Sequence, residues 1–269
     1  MKSKSGKTSN PDGSMSVSGH LKELRNRIIV IILVLVVGIV VAFAFADPIV
    51  NMLTDMGTKY DYHFVYIKPQ ELLMVYVTLS LIASAVVTFP VTAYEIYAFM
   101  SPGLKKKEKN FIALSIIFGM FFFCIGVFFA YKILLPFMLS FLIQFTNSVS
   151  VSASISIQEY ISFVLLIFVI MGSVFELPVV TVLLTLLGII KPVWLVKIRK
   201  VMIVATFFLA AVITPPDIIS QIMVAIPMIM LNELSIFLSK VFYKLKHKND
   251  DEDDDDDDED EDDDEDDED

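Results

Sequence analysis

The chain has 269 residues, 55% of them hydrophobic, with a mean hydropathy of +0.68 and a formal net charge of −11. Soluble domains are roughly 45–50% apolar, so a soluble globular protein is excluded. The single cysteine, Cys124, lies in an apolar stretch, which excludes an internal disulfide framework and any multi-cysteine metal site.

The negative charge is local. Residues 250–269 are all Asp or Glu; taking those 20 from the 32 acids leaves 12 against 21 Lys and Arg, so the rest of the chain carries +9. Three parts follow. Residues 1–19 read as a flexible polar leader without the apolar core of a secretory signal. Residues 20–240 form the membrane body. Residues 241–269 form a basic, then poly-acidic tail, expected to stay disordered because like charges repel.

Within the body, Ile28–Ala46 is 19 residues with nothing more polar than glycine. No water satisfies backbone amides inside a bilayer, so such a run crosses as a helix. A second span covers Leu72–Phe99 and holds Pro90; a third covers Phe111–Leu135 and ends at Pro136. The fourth stretch, from about Ile157 to Ile190, would reach roughly 50 Å as one straight helix. A tilt or a break near Pro178 is therefore expected. The fifth, Val201–Ile213, has 13 residues, or about 20 Å against a hydrocarbon core of about 30 Å. The sixth runs from Ile218 to about Leu238. The predicted fold class is all-α: a polytopic membrane protein with six transmembrane helices, cytoplasmic N- and C-termini, and short fifth and sixth spans.

The orientation rests on where the cations fall. With the N-terminus inside, 18 of the 21 Lys and Arg lie on the inner side and only Lys59, Lys68 and Lys132 outside, as the positive-inside rule requires. The outer loops, 47–71 and 136–156, are long enough for short interfacial helices and read as a cap over the outer ends. Tyr60, Tyr62, Phe64 and Tyr66 in the first of them suit a membrane–water interface. No internal repeat of the kind found in many transporters is evident.

No catalytic constellation is present. His20, His63 and His247 lie on separate segments, and no HExxH, phosphate loop, CxxC or GxSxG occurs. Neither an enzyme, nor a metal site, nor a cofactor is expected. The informative residues are acids beside basic clusters: Glu23 in HLKELRNR, Glu108 in SPGLKKKEK, Glu176 in FELP, and Asp217 in TPPDIISQ. On residue chemistry alone, Glu23 and Glu108 could be surface ion pairs with their lysine neighbours, worth about 0–1 kcal/mol. Glu176 lies inside a span, where a charge costs at least about 2.5–3.5 kcal/mol. It must face protein, a wet cavity or a partner, or else carry a proton. Asp217 can cap the sixth helix at its positive end.

In order, these segments carry HLxELRxR, YEIYAFMSPGL with a following Glu, FELP, and TPPDxxSQ with AIPM. Over residues 18–240 the sequence thus resembles TatC, the multi-spanning receptor subunit of the twin-arginine protein translocase. The resemblance implies a Sec-independent translocase subunit of the cell membrane that performs no bond chemistry and draws on the transmembrane proton gradient. It implies that twin-arginine signal peptides of folded precursors bind through the N-terminal segment and first cytoplasmic loop, at Leu21, Glu23, Leu24, Arg25, Pro102, Leu104 and Glu108. Glu176 would belong to a concave intramembrane face that meets partners or cargo. Thr214, Asp217 and Gln221 would dock the single-span subunits TatA and/or TatB. The expected partners are thus signal peptides, these subunits, membrane lipids and further copies of the chain in a homo-oligomeric receptor complex; nucleic acid is not among them. A Pro69-Gln70-Glu71 stretch before the second span also resembles the family.

The competing function is a secondary transporter or channel for a small solute. That class tends to gather ionisable residues from several spans at the midplane. Here Glu176 is the only clear mid-span acid, with Lys132 and Glu95 near helix ends.

Overall fold

The computed structural model describes residues 17–101, 106–146, 154–214 and 218–259, with backbone alone for 17–18, 100, 106–108, 144–146 and 247–259. The apolar runs form helices, as backbone satisfaction in a bilayer demands. In chain order these are α1 (Val17–Ala44), α2 (Ala46–Thr58), α3 (Glu71–Met100), α4 (Lys106–Phe129), α5 (Leu135–Thr146), α6 (Ile157–Phe175), α7 (Leu177–Leu186), α8 (Pro192–Ile213) and α9 (Ile218–Glu259). There are also two three-residue strands, β1 (His63–Val65) and β2 (Ser154–Ser156).

Five helical stretches among the described residues are long and apolar enough to cross a membrane: Gly19–Ala44, Glu71–Phe99, Lys109–Ile143, Ile157–Leu186 and Ile218–Lys246. The short fifth stretch of the sequence, Val201–Ile213, is the second half of α8. The first half of α8 carries Lys197, Arg199 and Lys200, and Arg199 pairs with Glu233 of α9 at 2.9 Å.

The helices pack as an open row. α1 lies along α3, α3 meets α4 and α6, α4 meets α6 and α7, α7 meets α9, and α8 lies on α9. The remaining faces of α1 carry exposed Ile, Leu, Val and Phe side chains, from Ile28 to Phe43, as a lipid-facing helix would. Small residues set the α1–α3 approach. Ser84 donates to the Leu35 carbonyl at 2.8 Å, and a Cβ on Gly38 would run into the Ser84 hydroxyl. Small and hydroxylated residues are what allow close helix contact in lipid.

Of three helix boundaries, two differ from the sequence reading and one, the break of the fourth stretch, agrees with it. The third span does not end at Pro136. A single π-helical turn, Ala130–Leu134, carries it into α5. Such a turn alters the i→i−4 ladder, and Pro136 then falls in the first turn of α5, where its missing N–H costs nothing. The fourth stretch does break, at Glu176 and two residues before Pro178, which occupies the first turn of α7. The last helix continues through 241–259, part of the stretch expected to be disordered. From residue 228 to 259 there is neither proline nor glycine to stop it.

The outer loops build a cap, and within this all-α chain it holds one short strand pair. β1 and β2 pair in parallel, His63 with Ser154 through Val65 with Ser156. The aromatic residues read as interface anchors divide in two. Tyr62 is buried and donates to the Leu139 carbonyl at 3.3 Å, and burial pushes its hydroxyl pKa up. Phe64 packs on Tyr160 with ring centroids 4.6 Å apart, and Tyr66 stays exposed. Glu71 fastens the cap. Its carboxylate accepts from Ile67 N, Lys68 N and the Ser156 hydroxyl, at 2.9–3.2 Å.

Candidate functional site

Three candidate regions emerge, one where the start of α1 meets the end of α3, one at the α6–α7 break, and one at the α8–α9 turn.

At the first, the helical repeat sets Glu23 and Arg27 one turn apart on the same face of α1, and that face meets the end of α3. Arg27 Nη2 and Nε both donate to Glu23 Oε1, at 2.6 and 3.0 Å. Its Nη1 donates to Glu95 Oε2 of α3 at 2.8 Å. One guanidinium thus joins two carboxylates from different helices, all three side chains largely shielded from solvent. Glu23 Oε2 is buried and has no hydrogen-bond partner among the described residues. One turn earlier, the His20 ring stacks on Phe99 with centroids 4.2 Å apart. Leu21 and Arg25 face outward and Leu24 is half-buried. Of the other residues expected here, Pro102 and Leu104 lie outside the described residues. Glu108 falls within α4, but its side chain is likewise outside them.

Sequence reasoning missed Glu95 as a site residue. The signal was available: an acid in the last two turns of an apolar helix, across from the HLKELRNR face. Only the α1–α3 packing shows which cation it meets.

At the second region, Glu176 occupies the break between α6 and α7 and is half-buried. It lines a cavity of about 410 Å³ together with Leu81, Phe89, Met120, Phe123 and Ser173. Gly119 of α4 lies alongside it, where a Cβ would sit at ordinary contact distance, 3.7 Å from Glu176 Oε2. The remaining lining of this open hollow between α3, α4 and α6 is apolar.

At the third region, Gln221 of α9 donates from Nε2 to the Phe207 carbonyl of α8 at 3.0 Å. Thr214 is buried, its hydroxyl on the Ala210 carbonyl at 3.0 Å. Asp217 lies outside the described residues. Gln221 therefore ties α9 to α8, while Thr214 closes the end of α8 on itself. No group of three His, Cys, Asp or Glu that could hold a metal occurs among the described residues.

Comparison with known proteins agrees with the motif resemblance. Residues 19–227 match the family model described as Sec-independent protein translocase protein (TatC). The Sec-independent protein translocase protein TatC of Halalkalibacterium halodurans is 35% identical over 87% of this chain and 92% of its own length. TatCy of Bacillus subtilis is 34% identical over the same shares. A crystal structure of the twin-arginine translocase receptor TatC superposes with a TM-score of 0.72 at 35% identity. It covers 83% of this chain and 99% of the crystal chain. With most of its length, its helical membrane fold and its motifs all matched, this chain belongs to the TatC family of Sec-independent protein translocase proteins.

Proposed function

We propose that this translocase subunit reads the arginine pair of a signal peptide at its cytoplasmic rim and recruits single-span subunits, TatA and/or TatB, for export of folded proteins. Six spans with both termini in the cytoplasm, in the cell membrane, are part of this reading. The 18 to 3 distribution of Lys and Arg supports it. So does α8, whose cationic first half suits the inner rim and whose apolar second half suits a short crossing.

The observation that carries the proposal is the Glu23–Arg27–Glu95 cluster. Two carboxylates from adjacent helices already hold a guanidinium at 2.6–3.0 Å. A planar guanidinium offers paired donors that an ammonium cannot reproduce, so such a rim favours arginine over lysine. Glu108, Pro102 and Leu104 supply the facing loop in this proposal, with Leu21, Leu24 and Arg25 flanking the acid. Glu176 and the hollow beside it serve partners or cargo; Thr214, Asp217 and Gln221 mark the docking turn. The solute-carrier alternative is weaker, because Glu176 is the only charged residue lining its cavity.

The test is photo-cross-linking from position 108 to a labelled precursor, with its Arg-Arg pair intact or changed to Lys-Lys. A cross-link lost with Lys-Lys supports a twin-arginine receptor. Equal cross-links with both precursors, or none with either, reopen the solute-carrier reading.

A further inference from the structure

We infer that Glu95 is a ligand-binding residue and that Arg27 fills the Glu23–Glu95 guanidinium site in the resting protein, so that a cargo arginine binds by taking its place. This inference rests on the twin-arginine reading above and adds how the site is occupied without cargo.

The geometry of the cluster carries it. Arg27 and Glu23 stand one turn apart on the same helix, and this tether restricts how the guanidinium can face the carboxylate. Both Nε and Nη2 converge on Glu23 Oε1, while Oε2 is buried without a partner among the described residues. A fork-to-fork pair would use both oxygens. The internal arginine thus satisfies its acceptors incompletely, and a buried carboxylate oxygen left unpaired is costly. A guanidinium arriving on a separate chain has no such tether. It can present two parallel N–H groups to Glu23 and still reach Glu95. The cluster also contains two acids for one cation, so it attracts a cationic ligand with Arg27 in place. Arg27 itself is about one-quarter exposed, and its long side chain can swing to the headgroup level once released.

The consequence is a thermodynamic signature. Deleting a carboxylate weakens the resting contact to Arg27 as well as the cargo contact, so Glu95→Gln alone changes peptide affinity little. Deleting the competitor removes only the resting contact. Arg27→Gln should therefore tighten binding of an Arg-Arg peptide by about tenfold, the effect of losing one charge-assisted competitor. Arg27→Lys, whose ammonium is a poorer occupant, should fall between. Glu95→Gln introduced on top of Arg27→Gln should reverse the gain.

The experiment measures the affinity of a dye-labelled signal peptide, and of its Lys-Lys twin, for the detergent-solubilised full chain by fluorescence anisotropy. Lys22→Gln, which removes an exposed cation one residue from Glu23, controls for general charge. A thermal melt establishes that each variant is folded; if Arg27→Gln is not, Arg27→Lys carries the test alone. Tightening graded from Arg to Lys to Gln, greater than that of Lys22→Gln and confined to the Arg-Arg peptide, supports the inference. Unchanged or weaker binding by the Arg27 variants overturns it, as does equal tightening by Lys22→Gln. In both cases the Arg-Arg preference of the unaltered chain stands. Equal binding of the two peptides by the unaltered chain overturns the twin-arginine reading as well.

Discussion

Gly126 of α4 presses against Gly172 of α6. A Cβ on Gly126 would lie 3.0 Å from the Gly172 Cα and 2.7 Å from the Met171 carbonyl oxygen. The Gly172 position is in turn covered by the Phe123 ring. Backbone meets backbone here, so no side-chain rotation relieves an added methyl group. Gly126→Ala should destabilise the chain by about 1–3 kcal/mol, the usual cost of overpacking. A lowered melting temperature in detergent, larger than for Gly119→Ala, is the expected readout. An unchanged melt would show that the two helices can part.

Glu176 lies one helical turn beyond that contact, at the break between α6 and α7. Glu176→Ala should reduce export of a twin-arginine precursor while leaving the chain's abundance in the membrane unchanged. The cavity keeps its apolar lining, so a loss of export would trace to the carboxyl. Export at the unaltered rate would sink a role for this group.

Gln221 and Phe207 tie the two arms of the α8–α9 hairpin. Gln221→Leu cuts that tie and removes the polar group expected to face a single-span subunit. The cross-link yield from this turn to such a subunit should fall. A yield equal to that of the unaltered chain would mean that Gln221 serves only the hairpin.

The Glu71 carboxylate gathers three donors from two segments of the outer cap. Glu71→Ala leaves all three donors without it, whereas Ser156→Ala removes one of them. Both should lower the melting temperature, Glu71→Ala more, and expose the outer loops to added protease from the outer side. Equal effects of the two would place the whole contribution in the Ser156 contact.

Much of the membrane body was legible in the sequence because its cause is local. A run such as Ile28–Ala46 must form a helix wherever its neighbours lie, and the FELP motif marked the broken span. The outer loops were readable as a cap, but the strand pairing inside it was not. The register of β1 on β2 joins residues about 90 positions apart, and three residues per strand leave no periodic signal. The same holds at the inner rim. Glu23 and Arg27 announce their pairing by helical spacing, but Glu95 is 68 residues from Arg27. The π-helical turn was missed for a different reason, since Pro136 alone reads as a stop until the turn before it is known.

The break at Glu176 divides one apolar stretch between two mechanical neighbourhoods. α6 is fastened outward, through the Tyr160 hydroxyl on the Leu53 carbonyl. α7 is fastened inward, through Thr185 on Ser239 and Lys246 on the Leu186 carbonyl. A tilt of the outer group against the inner one would therefore be taken up at a joint that already exists, without unravelling either rod. The carboxyl at that joint would report the tilt, and the hollow beside it would change width.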